Sequence, residues 1–328
     1  LNDTFNLLIF RKLRYNLSGA VTRLRREEAE MAIDMKTQYI EVPGGYVGLN
    51  VLGDNDSAIP ILFIHGGPGG NYESFLPMAE MLAKDCKVYL YNQLGSDEKN
   101  DVGDESIWVP ERYIETLNTV IREMKVDRLH LIGHSWGAML AAEHVLRTPD
   151  TPVKSITMVS PYLSTEIWIR DAKSRLAEMG EEYVRIVEES EKEIQFGGKL
   201  YQEIIEEYNK NFQCRELQKH KRQFRQYAMK PKTPNGMRVY RHMWGPSEFT
   251  CTGILKDMDI TAKLPQIKVR VLLISGVYDQ VRKETIEYYR SLIPGAVRVT
   301  IPEASQTSFL ENPDIFYDSL TAFLVRFN

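Results

Sequence analysis

The sequence predicts an α/β protein, in which a mostly parallel sheet is flanked by helices and carries an inserted helical segment. Short apolar runs alternate with amphipathic stretches over most of the 328 residues, and this alternation is typical of a parallel sheet covered on both faces. The alternation stops between residues 162 and 251, which are rich in Glu, Lys, Arg and Gln and show helical periodicity without a convincing strand. These two observations predict one core interrupted by a helical insertion.

The first elements are predicted to form an antiparallel hairpin. Residues 39–43 and 46–51 have strand-like patterns and are joined by Gly44 and Gly45, which favour a tight turn. Continuous apolar runs then predict buried strands, and amphipathic runs predict helices. The strands are expected over 59–64, 87–91, 129–132, 155–160, 269–275 and 297–301, and the helices over 75–82, 110–124, 138–146 and 313–325.

The domain boundaries follow from this alternation. We assign the core to residues 36–161 and 252–328, the helical insertion to 162–251, and an N-terminal helical extension to 1–35. The insertion is predicted to be a cap over the carboxyl ends of the strands, because ligands bind there in open α/β sheets. A solvated helical appendage without a function is the alternative.

Composition excludes several classes of function. Apolar residues make up 43% and charged residues 26% of the chain, as in ordinary soluble proteins. The formal net charge of −4 gives no general attraction to nucleic acid or to an anionic membrane. Cys86, Cys214 and Cys251 are an odd, scattered set that predicts neither a disulfide framework nor a metal site, and so favours a reducing, cytoplasmic location.

The N-terminal stretch has two interpretations. Residues 5–10 are apolar and are followed by a run of arginines and one lysine. A helix packed on the body of the protein is the preferred interpretation because the apolar run is short, and an interfacial helix or membrane anchor is the alternative. No apolar run reaches the roughly 20 residues that are needed to span a bilayer.

The segment Gly-His-Ser-Trp-Gly at residues 133–137 predicts a nucleophile. It lies between a predicted strand and a predicted helix, and a Gly-x-Ser-x-Gly at such a junction is the sharp turn that exposes a catalytic serine. The turn directs the helix N-terminus at the reacting centre, where negative charge develops. Ser135 is therefore the predicted nucleophile.

A glycine-rich loop is predicted to supply the oxyanion donors. The segment His-Gly-Gly-Pro-Gly at residues 65–69 follows the strand predicted over 59–64, and such loops offer a backbone N–H to the oxyanion in serine hydrolases. The N–H groups of Gly67 and Trp136 are the predicted pair. Each such donor contributes roughly 3 kcal/mol of transition-state stabilisation.

The orienting acid is present, but the base is missing. Asp279 follows the strand predicted over 269–275, and its place after the serine in the chain fits this type of hydrolase. A histidine is expected shortly after the last strand, and Gln306 stands there instead. A carboxamide cannot accept the serine proton at ordinary pH, although it can hydrogen-bond to Ser135 and Asp279.

The six histidines all lie at or before residue 242, so none follows the last strand. His134 is predicted to point into the scaffold, and His65 belongs to the glycine-rich loop. His130 and His144 are predicted to have structural roles. His220 and His242 lie in the predicted cap. Only the two cap histidines are weighed as substitutes for the missing base.

Together these motifs resemble those of the prolyl aminopeptidase (proline iminopeptidase) family of α/β-hydrolases. The resemblance rests on the segments at 65–69, 91–96, 133–137, 244–249, 277–279 and 302–313, which occur in order between residues 36 and 328. It implies an α/β-hydrolase fold with a helical cap and no cofactor or metal. It also implies that Glu248 holds the substrate's α-ammonium, with Gly66 and Trp244 in the substrate site.

Three positions depart from the family pattern. Asn92 stands where the family usually has Asp, and Gln280 stands where some members have an acid. Gln306 stands at the position of the catalytic histidine. The resemblance implies a serine hydrolase that cleaves an N-terminal residue from small peptides or amides through an acyl-enzyme, impaired here by Gln306. A binding protein without hydrolysis, or a lyase or cyclase that uses Ser135 and Gln306 for hydrogen bonding, is the alternative.

Overall fold

The computed structural model describes residues 35–97, 103–215 and 232–327. The predicted N-terminal extension lies outside these residues, apart from Met35. Eight strands form one sheet in the order β1-β2-β4-β3-β5-β6-β7-β8. The strands are β1 (Lys36–Val42), β2 (Gly45–Leu52), β3 (Ile61–Ile64), β4 (Val88–Tyr91), β5 (Leu129–His134), β6 (Val153–Val159), β7 (Arg270–Gly276) and β8 (Val297–Ile301).

Ten α-helices occur within the described ranges. They are α1 (Leu76–Leu82), α2 (Pro110–Met124), α3 (Trp136–Arg147), α4 (Thr165–Met179), α5 (Glu181–Glu193), α6 (Lys199–Phe212), α7 (Pro234–Met243), α8 (Lys283–Leu292), α9 (Ser308–Glu311) and α10 (Pro313–Leu324). Helix α8 was not predicted, because its mixture of charged residues and tyrosines lacks a long apolar run.

The sheet is antiparallel only at one edge. The β1–β2 hairpin pairs antiparallel with β4, and each of the remaining pairs is parallel. The predicted fold class is therefore confirmed, with strand ends shifted by one to three residues. The strand expected from residue 59 begins at Ile61, because Pro60 has no N–H to donate to a neighbouring strand.

The centre of the sheet fixes the position of α3. Strand β5 pairs with β3 on one side and with β6 on the other, and residues 136–144 of α3 are all buried. This helix has few charged residues because it packs along almost its whole length. The serine between β5 and α3 therefore stands on the most constrained part of the molecule.

The insertion between β6 and β7 is helical in its described part, and it divides into two groups. Helices α4, α5 and α6 share an apolar cluster of their own, which includes Leu176, Tyr208 and Phe249. Helix α7 contributes Val239 and Met243 to the main core, to which α4 also contributes Trp168. We refer to α4–α7 as the cap helices. Over the described ranges, no helix is both long and apolar enough to traverse a bilayer.

Candidate active site

The turn at Ser135 has the geometry that its motif predicts. Its φ of 52° and ψ of −115° lie in a region that a side chain rarely adopts. The backbone is held there because Ser135 N donates to Val159 O at 2.9 Å, and Ser135 O accepts from Ala138 N at 3.0 Å. The strain is therefore balanced by bonds to β6 and within α3, and the serine stands at the end of the central strand.

Both glycines of the motif are required by close packing. A Cβ on Gly137 would lie 2.1 Å from the carbonyl oxygen of Ile64, and one on Gly133 would lie 2.4 Å from the carbonyl oxygen of Gly137. Both distances are far inside van der Waals contact with backbone atoms that cannot move aside. The Gly-x-Ser-x-Gly pattern is thus a packing requirement of this turn.

The glycine-rich loop lies directly against the serine. A Cβ on Gly66 would lie 3.3 Å from Ser135 Cβ and 2.9 Å from His134 Nδ1, so a side chain there would displace the loop. Gly67 has a φ of 133°, which favours glycine. Within the described ranges, neither Gly67 N–H nor Trp136 N–H donates to another group. Both predicted oxyanion donors are therefore free beside Ser135, the predicted nucleophile.

His65 holds the glycine-rich loop in place as a neutral imidazole. Its Nε2 accepts from Gln93 N at 3.0 Å, so the hydrogen is on Nδ1, which donates to Gly66 O at 2.8 Å. Burial lowers the pKa of His65 to about 4. The Gln93 side chain donates to His65 O and accepts from Trp136 Nε1 at 2.9 Å. This network connects the loop to the first residue of α3.

Asp279 is fully buried in the loop after β7. Its Oδ2 accepts from Ser160 Oγ at 2.6 Å and from Gly276 N at 3.1 Å, and its Oδ1 accepts from Val281 N at 3.0 Å. Burial raises its pKa to about 6, although these hydrogen bonds oppose the shift. The carboxyl group is thus fixed in position and satisfied by neutral donors.

Ser160 is a site residue that the sequence did not reveal. It follows β6 with a φ of 47°, and its hydroxyl oxygen lies 2.6 Å from Asp279 Oδ2 and 3.0 Å from Gln306 O. Its one hydrogen is shared between these two acceptors. The only local signal is a polar residue that directly follows a buried strand and precedes a proline. Ser160 therefore connects the acid to the segment that carries Gln306.

Gln306 reaches the site mainly through its backbone. Its carbonyl oxygen lies 3.2 Å from His134 Nε2 and 3.0 Å from Ser160 Oγ. Its carboxamide is largely buried, and within the described ranges it makes no hydrogen bond to Ser135 or Asp279. The Gln306 amide does not bond to Asp279 because Ser160, Gly276 and Val281 already satisfy that carboxylate.

The described histidines do not replace the missing base. His134 turns away from Ser135, towards the Gln306 carbonyl and the ring of Phe309, and burial lowers its pKa to about 4. His242 lies 3.6 Å from Glu105 and packs against Trp108. The structural roles of the other two are evident from their neighbours: His130 bonds to Ser155, and His144 to Asn118 and Thr151. His220 lies outside the described residues.

Glu248 lies on the cap beside a tyrosine. Tyr240 OH donates to Glu248 Oε1 at 2.8 Å, and the carboxylate is half-buried. Trp244 is buried, and its Nε1 donates to Ser247 O at 2.7 Å. The Trp244 ring lies 5.5 Å from that of Tyr162. Trp244 thus supports the turn that presents Glu248.

The end of α6 is bonded to the segment that carries Gln306. Gln306 N donates to Phe212 O at 3.2 Å, and Thr307 N donates to Gln213 O at 3.0 Å. Arg215 N donates to a carboxylate oxygen of Glu311 at 2.6 Å. Burial raises the pKa of Glu311 to about 7. We refer to these contacts as the cap seam.

The other two departures from the family pattern differ in their surroundings. Asn92 accepts from Tyr72 N at 3.0 Å and donates to Asp97 at 2.7 Å, so it connects two loops beside the site. Gln280 is fully buried next to Asp279, and its amide has no hydrogen-bond partner within the described ranges. The carboxamide at 92 is therefore satisfied, whereas that at 280 is not.

Comparisons with known proteins agree with this fold. A sequence profile described as the alpha/beta hydrolase fold matches residues 59–313. The chain is 33% identical over 286 residues to a proline iminopeptidase of Heyndrickxia coagulans, which covers 87% of this chain and 97% of the relative. A proline iminopeptidase of Levilactobacillus brevis is 25% identical, with 89% of this chain and 97% of the relative covered.

Two solved structures share the fold. The crystal structure of VinJ superposes with a TM-score of 0.80 at 22% identity and covers 89% of this chain and 99% of its own. A proline iminopeptidase of Mycobacterium smegmatis superposes with a TM-score of 0.78 at 23% identity, with 89% and 98% covered. In both cases the similarity spans the core and the inserted helices.

Proposed function

This chain belongs to the proline iminopeptidase family of α/β-hydrolases, and we propose that it is a serine aminopeptidase or amidase whose acyl transfer is impaired by Gln306. The observation that carries the proposal is the turn at Ser135. The strained serine lies against Gly66, and the free N–H groups of Gly67 and Trp136 lie beside it. A structural serine would require none of this.

The proposed chemistry is nucleophilic attack by Ser135 on an amide carbonyl. The tetrahedral oxyanion is stabilised by the N–H groups of Gly67 and Trp136, at roughly 3 kcal/mol for each donor. A general base must accept the serine proton and return it to the leaving amine, and Gln306 cannot do either. Loss of one member of such a triad lowers turnover by about 10⁴ to 10⁶. A residual 10³ to 10⁴ over the reaction in water is expected from the oxyanion donors and substrate binding.

The proposed substrate is a small peptide or amide with a free N-terminus. Glu248 is the group that would bind the α-ammonium, since a partly desolvated ammonium needs an opposite charge. Tyr240 orients the carboxylate by donating to Oε1 at 2.8 Å, which leaves the other carboxylate oxygen for the ligand. Gly66 contributes by allowing the loop to approach Ser135, and Trp244 by supporting the Glu248 turn.

The test restores the base. We expect Gln306→His to increase hydrolysis of proline and alanine anilides by about 10² to 10⁴, because an imidazole there would displace Ser160 as the partner of Asp279 and accept the serine proton. The matched control is the double variant Gln306→His with Ser135→Ala, which should return to the original rate. If Gln306→His shows no gain while it folds normally, a simple missing base is the wrong explanation.

A second candidate is a protein that binds a ligand in the same cleft without acyl transfer. Two observations favour it: Ser160 occupies an oxygen of Asp279, and the Gln306 amide makes no hydrogen bond to Ser135. A lyase or cyclase that uses Ser135 and Gln306 to hydrogen-bond its substrate is also compatible with this arrangement, because the two side chains are not bonded to each other. A fluorophosphonate separates the candidates, since rapid labelling of Ser135 indicates a working nucleophile, and its absence favours binding or altered chemistry.

A further inference from the structure

Lys232 is attached to the core at a fixed point beside the glycine-rich loop. It precedes Thr233, the N-cap of α7, whose hydroxyl donates to Ser96 O at 2.7 Å and accepts from Gly236 N at 2.9 Å. A Cβ on Gly69 would lie 2.0 Å from Gly236 O, so the loop and the start of α7 touch backbone to backbone. The backbone next to Lys232 is therefore held in place.

The Lys232 ammonium lies next to the partner of Glu248. Its Nζ is 4.3 Å from the centroid of the Tyr240 ring, on which it makes a cation–π contact. The same tyrosine donates its hydroxyl to Glu248 Oε1 at 2.8 Å. Among the described residues no acid forms an ion pair with Lys232. Tyr240 thus contacts both the half-buried Lys232 ammonium and the Glu248 carboxylate that is proposed to bind the substrate.

We propose that Lys232 is a specificity-determining residue, an internal cation that weakens the binding of ammonium groups at Glu248 and so shifts the site towards ligands with an uncharged polar end. This inference rests on the proposed role of Glu248. In addition to the attraction of Glu248, an incoming ammonium group would meet repulsion from the positive charge of Lys232.

Electrostatics supports this role. A cation on the face of Tyr240 is attracted to the ring and is held without an acidic partner in the described part of the chain. Burial lowers the pKa of Lys232, and Glu248 is the charge that opposes this shift, so the two groups interact. Two like charges a few ångströms apart in a partly dehydrated cleft repel each other, whereas a neutral ligand is unaffected.

The test compares two probes that differ in charge, L-prolinamide and N-acetyl-L-prolinamide, by calorimetry on the full chain. We expect Lys232→Met to bind L-prolinamide about tenfold more tightly than the original protein does, with less than a twofold change for the acetylated probe. Lys232→Arg keeps the charge and should resemble the original. Lys210→Met, an exposed lysine of α6, controls for a change in net charge.

Several outcomes would overturn the inference. They are an unchanged or weaker affinity of Lys232→Met for L-prolinamide, an equal change for both probes, and an equal effect of Lys210→Met. Lys232→Gln provides the same readout if the Met variant does not fold.

Glu248→Gln separates this inference from the proposed function. If it abolishes L-prolinamide binding while Lys232→Met has no effect, the role of Glu248 stands and that of Lys232 fails. If Glu248→Gln leaves L-prolinamide binding unchanged, or no variant binds the probe, the proposed amine site fails and the inference about Lys232 fails with it.

Discussion

The two halves of the candidate site are built differently. The nucleophile half consists of Ser135 and the glycine-rich loop, and backbone atoms define it: the φ of the serine, the close approach of Gly137 to Ile64, and two free N–H groups. The base half contains Asp279 and Gln306, and it is defined by the hydrogen bonds of one buried carboxylate, which include a bond from the side chain of Ser160.

This difference indicates which half of the site tolerates substitution. A turn held by backbone contacts tolerates few substitutions, because a single Cβ would collide with a carbonyl oxygen. A carboxylate can accept from different donors and remain hydrogen-bonded, and in this chain one of its donors is the Ser160 hydroxyl. The turn at Ser135 has the geometry that its motif predicts, whereas the predicted base position at Gln306 carries a side chain that makes no hydrogen bond to Ser135 or Asp279 within the described ranges.

The largest expected effect tests the backbone half. Gly137→Ala would place a Cβ 2.1 Å from Ile64 O, whereas nothing lies within 4 Å of a Cβ on Gly197. We expect Gly137→Ala to lower the free energy of unfolding by about 4 kcal/mol or more, and Gly197→Ala to change it by less than about 0.5 kcal/mol. Chemical denaturation measures both, and similar values would mean that the turn is not the constrained element.

The pH dependence of stability tests the buried acid. Burial raises the pKa of Asp279 to about 6 from 3.8, so its contribution is fully present below about pH 4 and is lost as the pH rises through 6. Relative to Asp279→Asn, the original protein should lose at most about 3 kcal/mol of unfolding free energy between pH 4 and 7. Glu311 acts in the same direction, but it is common to both proteins and cancels. Parallel stability curves for the two proteins would contradict the assignment.

Removal of the Ser160 hydroxyl tests the base half of the site. Ser160→Ala leaves Asp279 Oδ2 with one donor fewer in a fully buried position, so we expect a loss of about 1–3 kcal/mol and a further rise in the pKa of Asp279. Thr157→Val is the matched control, because that buried hydroxyl has no partner within the described ranges. Equal losses in both variants would show that the Ser160 bond contributes nothing specific.

The smallest expected effect concerns the amine site. Tyr240→Phe removes the donor to Glu248 Oε1 without changing the ring under Lys232. We expect L-prolinamide to bind about three- to tenfold more weakly, since one hydrogen bond is worth about 1 kcal/mol. Tyr288→Phe, on the exposed side of α8, is the control. An unchanged affinity would show that Glu248 does not depend on Tyr240 for its orientation.

The sequence predicted the parts of the molecule that depend on local pattern. Apolar runs located the strands because buried strands must be apolar on both faces, and the glycines around Ser135 indicated a turn that packing requires. The role of Ser160 could not be predicted, because its two partners lie 119 and 146 residues further along the chain.

Contacts between residues far apart in the sequence also determine other features of the site that could not be predicted. The turn that places Lys232 over Tyr240 is fixed by the bond from Thr233 to Ser96, which lies 137 residues earlier in the chain, and no sequence motif marks it. The conformation of Gln306 depends on bonds from Phe212 and His134, which belong to the cap and to the central strand. Such contacts are decided by tertiary packing, after the local elements have formed.

The cap contacts the core beside each half of the site. Helix α7 touches the glycine-rich loop through Gly69 and Gly236, and the end of α6 is bonded to the segment of Gln306 through the cap seam. Main-chain atoms take part in both attachments, so a displacement of the cap would disturb the predicted oxyanion donors and the Gln306 segment together. The spacing between the two halves therefore depends on the docking of one inserted segment as well as on the sheet.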